Sequence, residues 1–150
     1  MAVRVQAEPF DIAAEVAALT TADRDIGAVV TFTGLVREIV PGAAGQAMTL
    51  EHYPGMTETA LAGIEAEARE RWPLSGTTVI HRAGRLEPGE GIVLVVTASR
   101  HRQAAFEAAA FIMDYLKTRA PFWKKEEGAG RAAWVAARDS DTQAAARWRG

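Results

Sequence analysis

The order in which strand-like and helix-like segments follow one another constrains the fold of this chain most. Segments with alternating or β-branched residues, which are typical of strands, are interrupted at irregular intervals by segments with helical periodicity. The predicted strands cover residues 3–7, 27–37, 47–53, 77–84, 91–98, 122–126 and 132–137, and the predicted helices cover residues 11–19, 57–72, 102–119 and 144–148. Because strands and helices mix without a regular order, we predict an α+β fold with a mostly antiparallel sheet and packed helices.

The length of 150 residues is typical of one domain, and we expect a single domain over residues 1–150. No apolar run approaches the roughly 20 residues needed to cross a bilayer, so no membrane partner is expected. The N-terminus carries acidic residues early and has no apolar signal core, so we expect a cytoplasmic protein.

The balance of charges and the absence of cysteine exclude several classes of function. The net charge is -2, whereas a general nucleic-acid binder usually carries a basic excess, so no nucleic-acid partner is expected. The chain has no cysteine, which excludes disulfides, thiolate metal sites and thiol nucleophiles. His52 and His81 lie far apart without metal-ligand spacing, and we interpret both as structural residues. The sequence contains no phosphate-loop or dinucleotide-binding glycine motif.

Positive charge is supplied almost entirely by arginine. The 17 basic residues are 14 arginines and three lysines, and Lys117, Lys124 and Lys125 lie within nine residues of one another. Lysine can lose its proton in a protein, whereas arginine effectively cannot, so the pattern confines titratable amines to one segment. Chance is the alternative explanation for so few residues.

The long predicted helix places Lys117 within an apolar stripe. With Phe106 set at zero and about 100° per residue, Ala110, Met113 and Lys117 fall within roughly 40° of it. We therefore predict that Lys117 projects from a largely buried side of the helix. The alternative is a lysine in the last helical turn that favours the helix dipole and extends to water.

Lys124 follows after the break that Pro121 makes at the end of this helix. If the chain then runs extended, Phe122 and Lys124 share a face, and a reversal at Pro121 brings Lys124 to Lys117. Two close, buried amines disfavour each other's charge, so one of them could be neutral near pH 7 and act as a base or nucleophile. The alternative for Lys124 and Lys125 is a solvated edge strand.

A second basic segment precedes the long helix. Ser99 can cap the helix, and Arg100 and Arg102 lie beside backbone amides that attract anions. Residues 100–125 hold six basic residues and two acids, a balance of +4, so we predict a seat for a small anionic ligand. The alternative is an ordinary exposed helix start, with His101 as a surface histidine.

Arg37 ends the longest predicted strand, just before the glycine-bearing loop PGAAGQ. Strand ends that precede loops often line pockets, so Arg37 is a candidate for a pocket wall. The alternative is a plain surface arginine.

Several of these segments resemble the large-subunit family of molybdopterin synthase. The matching stretches are GAVVTFTGLVR, TLEHYPGMTE, RWPL, VIHRAG, FIMDYLKTRAPFWKKE and WVAARDSD, in the family's order over nearly the whole chain. This combination is far more specific than any short motif. The resemblance implies a catalytic subunit with an α/β-hammerhead-like fold, a sulfurtransferase of molybdenum cofactor biosynthesis.

The same resemblance implies the partners and the substrate. The large subunit forms a central homodimer, and one small ubiquitin-like subunit docks on each end, which gives a heterotetramer. The Gly-Gly C-terminus of the small subunit carries a thiocarboxylate into the pocket, and two sulfurs are added to cyclic pyranopterin monophosphate to make the dithiolene of molybdopterin. A chain without cysteine fits this chemistry, since the partner supplies the sulfur. Neither a metal ion nor a cofactor is implied.

The resemblance also implies the site residues. Lys117 and Lys124 match the family's essential lysines; Lys117 is expected to act on the substrate or the incoming acyl group, and Lys124 to assist as acid, base or anion holder. The expected substrate-binding residues are these two lysines together with Leu35, Val36, Arg37, His101, Arg102, Lys125, Glu126 and Arg138. The loop EIVPGAAGQ departs from the family, whose members often have an asparagine-bearing stretch there; Leu35 replaces a frequent lysine, and Arg100 adds a charge.

A non-catalytic module that binds an anionic metabolite or a ubiquitin-like tail is the main alternative function. It would need the basic pocket but no titratable lysine, so replacing Lys117 by arginine distinguishes the two functions. A nucleic-acid binder would instead show a basic stripe and a steep salt dependence, which the net charge of -2 disfavours.

Overall fold

The computed structural model describes residues 2–128, 131–135 and 139–149, and this part of the chain forms eight strands and four helices. The strands are β1 (Ala2–Gln6), β2 (Ala28–Leu35), β3 (Ala47–His52), β4 (Leu74–Arg82), β5 (Gly84–Leu86), β6 (Gly91–Ser99), β7 (Phe122–Gly128) and β8 (Arg131–Val135). The helices are α1 (Ile12–Thr20), α2 (Met56–Arg71), α3 (Arg102–Arg119) and α4 (Asp139–Ala146). The predicted α+β class is confirmed, while β5 was not predicted and α4 begins earlier than expected.

The strands form two four-stranded sheets. The first has the order β1-β4-β6-β2, and the second has the order β5-β3-β7-β8. Among the described strands, β1 and β4 are the one parallel pair, and all other pairs are antiparallel. The prediction of mostly antiparallel pairing is therefore confirmed, with two sheets in place of one.

Both faces of the first sheet are buried. Val93 and Val95 of β6 pack in a cluster with Phe111 of α3, whereas Leu94 and Val96 lie on the opposite face in the cluster that includes residues of α1. Because helices cover both faces, β6 is an almost continuous apolar run and not an alternating one. Burying one such side chain stabilises the fold by about 1.5–3 kcal/mol. The packing of β6 against α3 therefore fixes the positions of the residues at the ends of both elements.

The predicted cap of the long helix, Ser99, is wrong because its hydroxyl is used elsewhere. Ser99 is the last residue of β6 and is buried, and its Oγ donates to the Pro73 carbonyl oxygen at 2.8 Å. His101 occupies the N-cap position of α3 without a side-chain capping bond. Ser99 therefore ties the end of β6 to the segment between α2 and β4.

Thr57, which begins the predicted second helix, does not cap it either. Gly55 is the N-cap, with a φ of 85° that favours glycine, and its N–H donates to Glu58 Oε2 at 3.0 Å. The hydroxyl of Thr57 is buried and donates to the Tyr53 carbonyl oxygen at 2.9 Å. Thr57 thus fastens the start of α2 to the end of β3.

The long helix α3 buries a different side from the one predicted. Its buried residues include Ala105, Ile112 and Leu116, whereas Phe106 on the predicted stripe is 61% exposed, and Lys117 is exposed as well. The helix has apolar residues on two sides, and the core takes the side away from Phe106. The prediction of a buried Lys117 is therefore wrong for the single chain.

No helix in the described residues, α3 included, combines the length and apolar character needed to span a bilayer.

The two sheets meet at a small apolar cluster. Its buried members come from the end of β2, from β3 and from β5, and residues of β6 and β7 pack against them. These residues are Val36, Met48, Leu50, Leu86, Ile92 and Phe122. Because β7 begins directly after α3, this junction also brings the last turn of α3 beside the second sheet.

Candidate active site

A cavity of about 650 Å³ opens where the two sheets meet. Its walls come from the end of β2 and the loop that follows, from β3 and β7 of the second sheet, and from the C-terminal end of α3. The candidate site residues that line it are Leu35, Val36, Arg37, Lys117, Lys124 and Glu126. Residues from separate parts of the sequence thus converge on one space.

The two candidate catalytic lysines reach this cavity from consecutive elements. Lys117 lies in the last turn of α3 and Lys124 on β7. Between them the chain reverses at Pro121, where the N–H of Phe122 donates to the Ala120 carbonyl oxygen at 2.9 Å. Neither lysine is buried, since Lys117 is exposed and the side chain of Lys124 is 35% exposed. Desolvation of a buried amine pair, which the sequence suggested, therefore does not describe this site.

Strand β7 presents every second residue to the cavity. Phe122, Lys124 and Glu126 line it, so the predicted shared face of Phe122 and Lys124 is confirmed. Trp123 and Lys125 lie on the other face of the strand. Lys125 is consequently not among the described residues that line the cavity.

The ammonium group of Lys124 forms an ion pair with Glu126. Lys124 Nζ lies 3.7 Å from Glu126 Oε1, and the two side chains are 35% and 31% exposed. At this exposure the attraction is worth little, usually below about 1 kcal/mol. Its main consequence is geometric, because the carboxylate limits the directions in which the lysine side chain can point.

Leu35, Val36 and Arg37 enter the cavity wall at the end of β2. Val36 is buried, and its N–H donates to the Glu90 carbonyl oxygen at 2.9 Å. The N–H of Gly89 donates in turn to the Val36 carbonyl oxygen at 2.8 Å. The backbone directly before Arg37 is therefore fixed by hydrogen bonds. Leu35 is 57% exposed and lies at the rim of the cavity.

The cavity wall carries charges of both signs. Its cations and carboxylates are Arg37, Lys117, Lys124, Glu38, Glu126 and Asp141. The predicted excess of +4 over residues 100–125 does not produce a uniformly basic pocket, because Arg100, Arg102 and Arg119 are not among the described lining residues. Such a mixed wall can bind an anion at its cations while its carboxylates orient the lysine side chains.

His101 and Arg102 lie at the opposite end of α3 from Lys117. At about 1.5 Å per residue, Arg102 and Lys117 are separated by roughly 22 Å along the helix axis. Within one chain, therefore, the structure does not bring His101 and Arg102 to the lysines. Arg138, the last candidate residue, lies outside the described residues.

His81, whose spacing in the sequence predicts a structural role, also lines the cavity. Its ring is buried and stacks on Phe122 with a centroid distance of 3.8 Å. His81 Nδ1 lies 2.8 Å from the Arg82 carbonyl oxygen, and since a carbonyl only accepts, Nδ1 donates and the neutral ring keeps its lone pair on Nε2. Burial lowers the pKa of His81 to about 4; the bond to Arg82 opposes this shift, and the charge of Lys117 adds to it.

One signal in the sequence could have identified His81 as a cavity residue. It lies near the end of a predicted strand, the kind of position that made Arg37 a candidate.

His52 lies farther from the Phe122 ring, at 6.1 Å, with its Nδ1 3.7 Å from Glu58 Oε1. Within the described residues, no group of three His, Asp or Glu side chains could hold a metal ion.

Comparison with known families adds to this geometry. The sequence model of the MoaE protein family matches residues 5–119, which include Arg37, His81 and Lys117. The chain belongs to the MoaE protein family. The match ends with the last residue of α3, and β7 with Lys124 follows directly.

Individual MoaE-family relatives extend the similarity to nearly the whole chain. The molybdopterin synthase catalytic subunit of Mesorhizobium japonicum is 60% identical over 149 residues, covering 98% of this chain and 92% of that protein. The molybdopterin synthase catalytic subunit of Escherichia coli K12 is 60% identical over 141 residues, covering 94% and 93%. The molybdopterin biosynthesis MoaE protein from Burkholderia ambifaria MC40-6 shares the fold with a TM-score of 0.84 at 49% identity, covering 99% of both chains.

Membership of the MoaE family defines the kind of enzyme. The chain is a catalytic subunit of the molybdopterin synthase type, and it transfers sulfur in molybdenum cofactor biosynthesis. The resemblance drawn from the sequence is therefore confirmed. Since the cavity is where the two candidate lysines meet, it is the candidate active site.

Proposed function

We propose that sulfur is transferred in this cavity, from the thiocarboxylated Gly-Gly C-terminus of a small ubiquitin-like subunit to cyclic pyranopterin monophosphate. Two such transfers give the dithiolene of molybdopterin. The observation that carries the proposal is the convergence of Lys117, Lys124 and Arg37 on one cavity of about 650 Å³. A cavity of this size suits a small anionic molecule.

The cations of the cavity take different roles in this proposal. Arg37 is planar and permanently charged, which suits a phosphate group bound through two hydrogen bonds. Lys117 acts on the substrate or on the acyl group of the incoming tail, and Lys124 assists as acid, base or anion holder. Glu126, 3.7 Å from Lys124 Nζ, keeps that amine oriented.

A second protein must supply the sulfur in this proposal. The chain contains no cysteine, so none of its own side chains can carry sulfur as a persulfide or thiolate. A tail that ends in Gly-Gly is narrow and flexible because glycine has no side chain, and it can therefore thread into a cavity. The sulfur then arrives on the carbonyl carbon of the tail, on which Lys117 acts in this proposal.

An exposed apolar stripe supports a homodimer of this single-domain chain. Phe106 of α3 is 61% exposed, and Phe32 of β2 is 41% exposed. Phe32 lies on the same face of β2 as Val30, which packs in the core cluster with α3 residues. Large apolar side chains left in solvent on neighbouring elements can belong to an interface, and a two-fold axis through the stripe would cover them in both copies.

Such a dimer would also complete the substrate site. In a two-fold interface whose antiparallel α3 helices cross near Ala110, one turn after Phe106, the start of one helix lies beside the end of the other. His101 and Arg102 of the second copy would then approach Lys117 of the first, although they are roughly 22 Å away within one chain. The dimer thereby gives the expected substrate-binding pair a route to the cavity.

Reconstitution tests the proposed reaction. The purified chain is mixed with thiocarboxylated small subunit and cyclic pyranopterin monophosphate, and the dithiolene product is measured. Lys117→Arg and Lys124→Arg are assayed in parallel, because arginine keeps the charge but does not transfer a proton near neutral pH. We expect product from the wild type and a loss of about a hundredfold or more in Lys117→Arg.

The same experiment distinguishes the enzyme from a binding module. A wild-type chain that binds the small subunit yet forms no product would contradict the proposal and favour a non-catalytic module. If Lys117→Arg formed product at the wild-type rate, the positive charge at this position would be sufficient for activity. Proton transfer by Lys117 in the chemical step would then be contradicted.

A further inference from the structure

The loop between β2 and β3 is held by the side chain of its last residue, Gln46. This side chain is buried, with 5% of the residue exposed. Gln46 Oε1 accepts hydrogen bonds from the backbone N–H groups of Ile39 and Val40, at 2.6 and 2.8 Å. Gln46 Nε2 donates to the carbonyl oxygens of Val40 and Ala43, the latter at 2.9 Å. These bonds use both donors and both acceptor sites of the amide.

Arg37 and Glu38 lie between two fixed points of this loop. On one side, Val36 exchanges backbone hydrogen bonds with the turn between β5 and β6, at 2.8 and 2.9 Å. On the other side, Gln46 holds the N–H of Ile39. Because Arg37 and Glu38 are the two residues between Val36 and Ile39, the backbone that places them in the cavity wall is fixed from both directions.

Gln46 also packs against the strand that carries Lys124. A Cβ added at Gly128, the last residue of β7, would lie 2.9 Å from Gln46 Cγ, closer than such atoms normally approach. Gly128 moreover has a φ of 146°, which other residues rarely adopt. Glycine at this position leaves the room that Gln46 occupies. The Gln46 side chain therefore lies between the loop, which it binds, and the end of β7, the strand that carries Lys124.

We propose that Gln46 is a positioning residue for substrate binding. It fixes the loop that carries Arg37, so that the guanidinium group is in the wall shared with Lys117 and Lys124 before the substrate arrives. The inference rests on the function proposed above and adds a residue that acts through Arg37. If Arg37 binds the anion equally well in the ground state and the transition state, loosening the loop raises KM and leaves kcat nearly unchanged.

Gln46→Glu tests this role because it keeps the size of the side chain and removes the two donors. The carboxylate can still accept from Ile39 and Val40, but its second oxygen faces the carbonyl oxygens of Val40 and Ala43. We expect KM for the phosphorylated pterin to rise about tenfold, with kcat within about twofold of the wild type. Hydrogen exchange of the Ala43 amide, which donates to the Val40 carbonyl oxygen at 3.1 Å, should become faster in the same variant, because that carbonyl group is now repelled.

Gln6→Glu is the matched control. Gln6 also donates through its amide to loop carbonyl groups, those of Glu8 and Pro9 at 2.9 and 3.3 Å. Unlike Gln46, it is not among the described residues that line the cavity, so KM and kcat should stay at wild-type values. Gly128→Ala is a second route to the perturbation that adds no charge to the cavity wall. Its methyl group displaces Gln46, and alanine at this φ also strains the end of β7, so it too should raise KM.

The possible outcomes are distinguishable from a failure of the proposed reaction. If the wild type forms product and Gln46→Glu keeps wild-type KM and wild-type amide exchange, the role of Gln46 is overturned. A fall in kcat with unchanged KM also overturns it, because the loop would then act on the chemical step. If the wild type forms no product, the proposed reaction fails, and amide exchange alone decides whether Gln46 holds the loop. If Gln46→Glu does not fold, an unchanged KM in Gly128→Ala overturns the inference.

Discussion

The ring of His81 lies nearly parallel to the ring of Phe122, with centroids 3.8 Å apart and an interplanar angle of 23°. The contact joins β4 of the first sheet to β7 of the second at the cavity wall. The same imidazole donates through Nδ1 to the Arg82 carbonyl oxygen at 2.8 Å. A buried ring held in this way favours the neutral form, and this preference has a consequence for stability.

Protonation of His81 is expected to destabilise the folded protein as the pH falls. The pKa of His81 is about 4 in the folded protein, compared with an ordinary value of 6.5. Between these values the unfolded chain binds more protons than the folded chain, so the free energy of unfolding rises with pH through this window. The stability is fully present above the ordinary pKa, and a shift of about 2.5 pH units corresponds to roughly 3 kcal/mol lost below the folded-state pKa.

Urea unfolding at about pH 7, 6 and 5 measures this effect, with His81→Asn as the reference. Asparagine does not titrate, and its amide can still donate to the Arg82 carbonyl group. From about pH 7 to pH 5 the wild type should lose roughly 2 kcal/mol more than the variant. Parallel pH profiles for the two proteins would show that His81 does not remain neutral in the folded state.

Lys124 and Lys125 are neighbours in sequence, yet β7 directs them to opposite faces. Lys124→Met removes an amine from the cavity wall, and we expect product formation to slow by about a hundredfold or more. Lys125→Met removes the same charge from the other face, and we expect a loss below about tenfold, because solvent and salt screen a charge on that face.

Single-turnover rates of Lys124→Met and Lys125→Met are compared. The two variants are matched because they share the strand, the substitution and the change in net charge, and differ only in the face of β7 that loses the amine. Equal losses would contradict the placement of Lys125 outside the substrate site. They would instead support the family resemblance, which counts Lys125 among the substrate-binding residues.

Local periodicity supplied most of what the sequence could predict about this site. The break at Pro121 and the alternation after it depend on neighbouring residues, so the reversal and the shared face of Phe122 and Lys124 were predictable. The exposure of Lys117 was not. The α3 helix has apolar residues on two sides, and its sequence does not say which side meets the sheet.

Contacts between distant segments account for what the sequence did not predict. His81 reaches the cavity wall beside Phe122, a residue of the other sheet. Ser99 lies just before a helix, as an N-cap residue would, but in the folded chain its hydroxyl donates a hydrogen bond to the Pro73 carbonyl group. Gln46 has a role in the loop only after the chain has turned back on itself. The fold class was predictable because it follows from the order of the segments alone.

Asp114 of α3 fastens the C-terminal segment to the core. Its Oδ2 accepts from Trp148 Nε1 at 2.6 Å and from Arg147 Nη2 at 2.8 Å. Trp148 in turn packs edge-on against Trp72 and Phe111. Asp114→Asn should lower the free energy of unfolding by about 1–3 kcal/mol, because a neutral amide replaces a charged acceptor that binds two side chains.

Glu87→Gln is the control for this substitution. Glu87 pairs with Arg85 at 3.3 Å, but the side chains of Arg85 and Glu87 are 51% and 66% exposed. Its loss should change the free energy of unfolding by less than about 0.5 kcal/mol. Urea unfolding of both variants makes the measurement, and equal effects would mean that the contact of Asp114 with the C-terminal segment adds nothing to stability.

Phe106 and Met56 are both large apolar side chains that lie mostly in solvent, at 61% and 65% exposure, but Phe106 belongs to the proposed dimer stripe. Phe106→Glu would place one carboxylate from each copy in an apolar contact, where an unpaired charge is costly. We expect dimerisation to weaken by about a hundredfold or more, while Met56→Glu keeps the association of the wild type. Analytical ultracentrifugation over a range of protein concentrations measures the difference.

The Phe106→Glu variant should also lose product formation, because in the proposed dimer His101 and Arg102 of the second copy lie near Lys117. Its activity per chain should rise again with protein concentration, as mass action restores the dimer. An activity that stays low at every concentration would mean that Phe106 acts within one chain. A monomeric wild type with full activity would instead exclude the shared site, since Lys117 and Arg102 of one chain are roughly 22 Å apart.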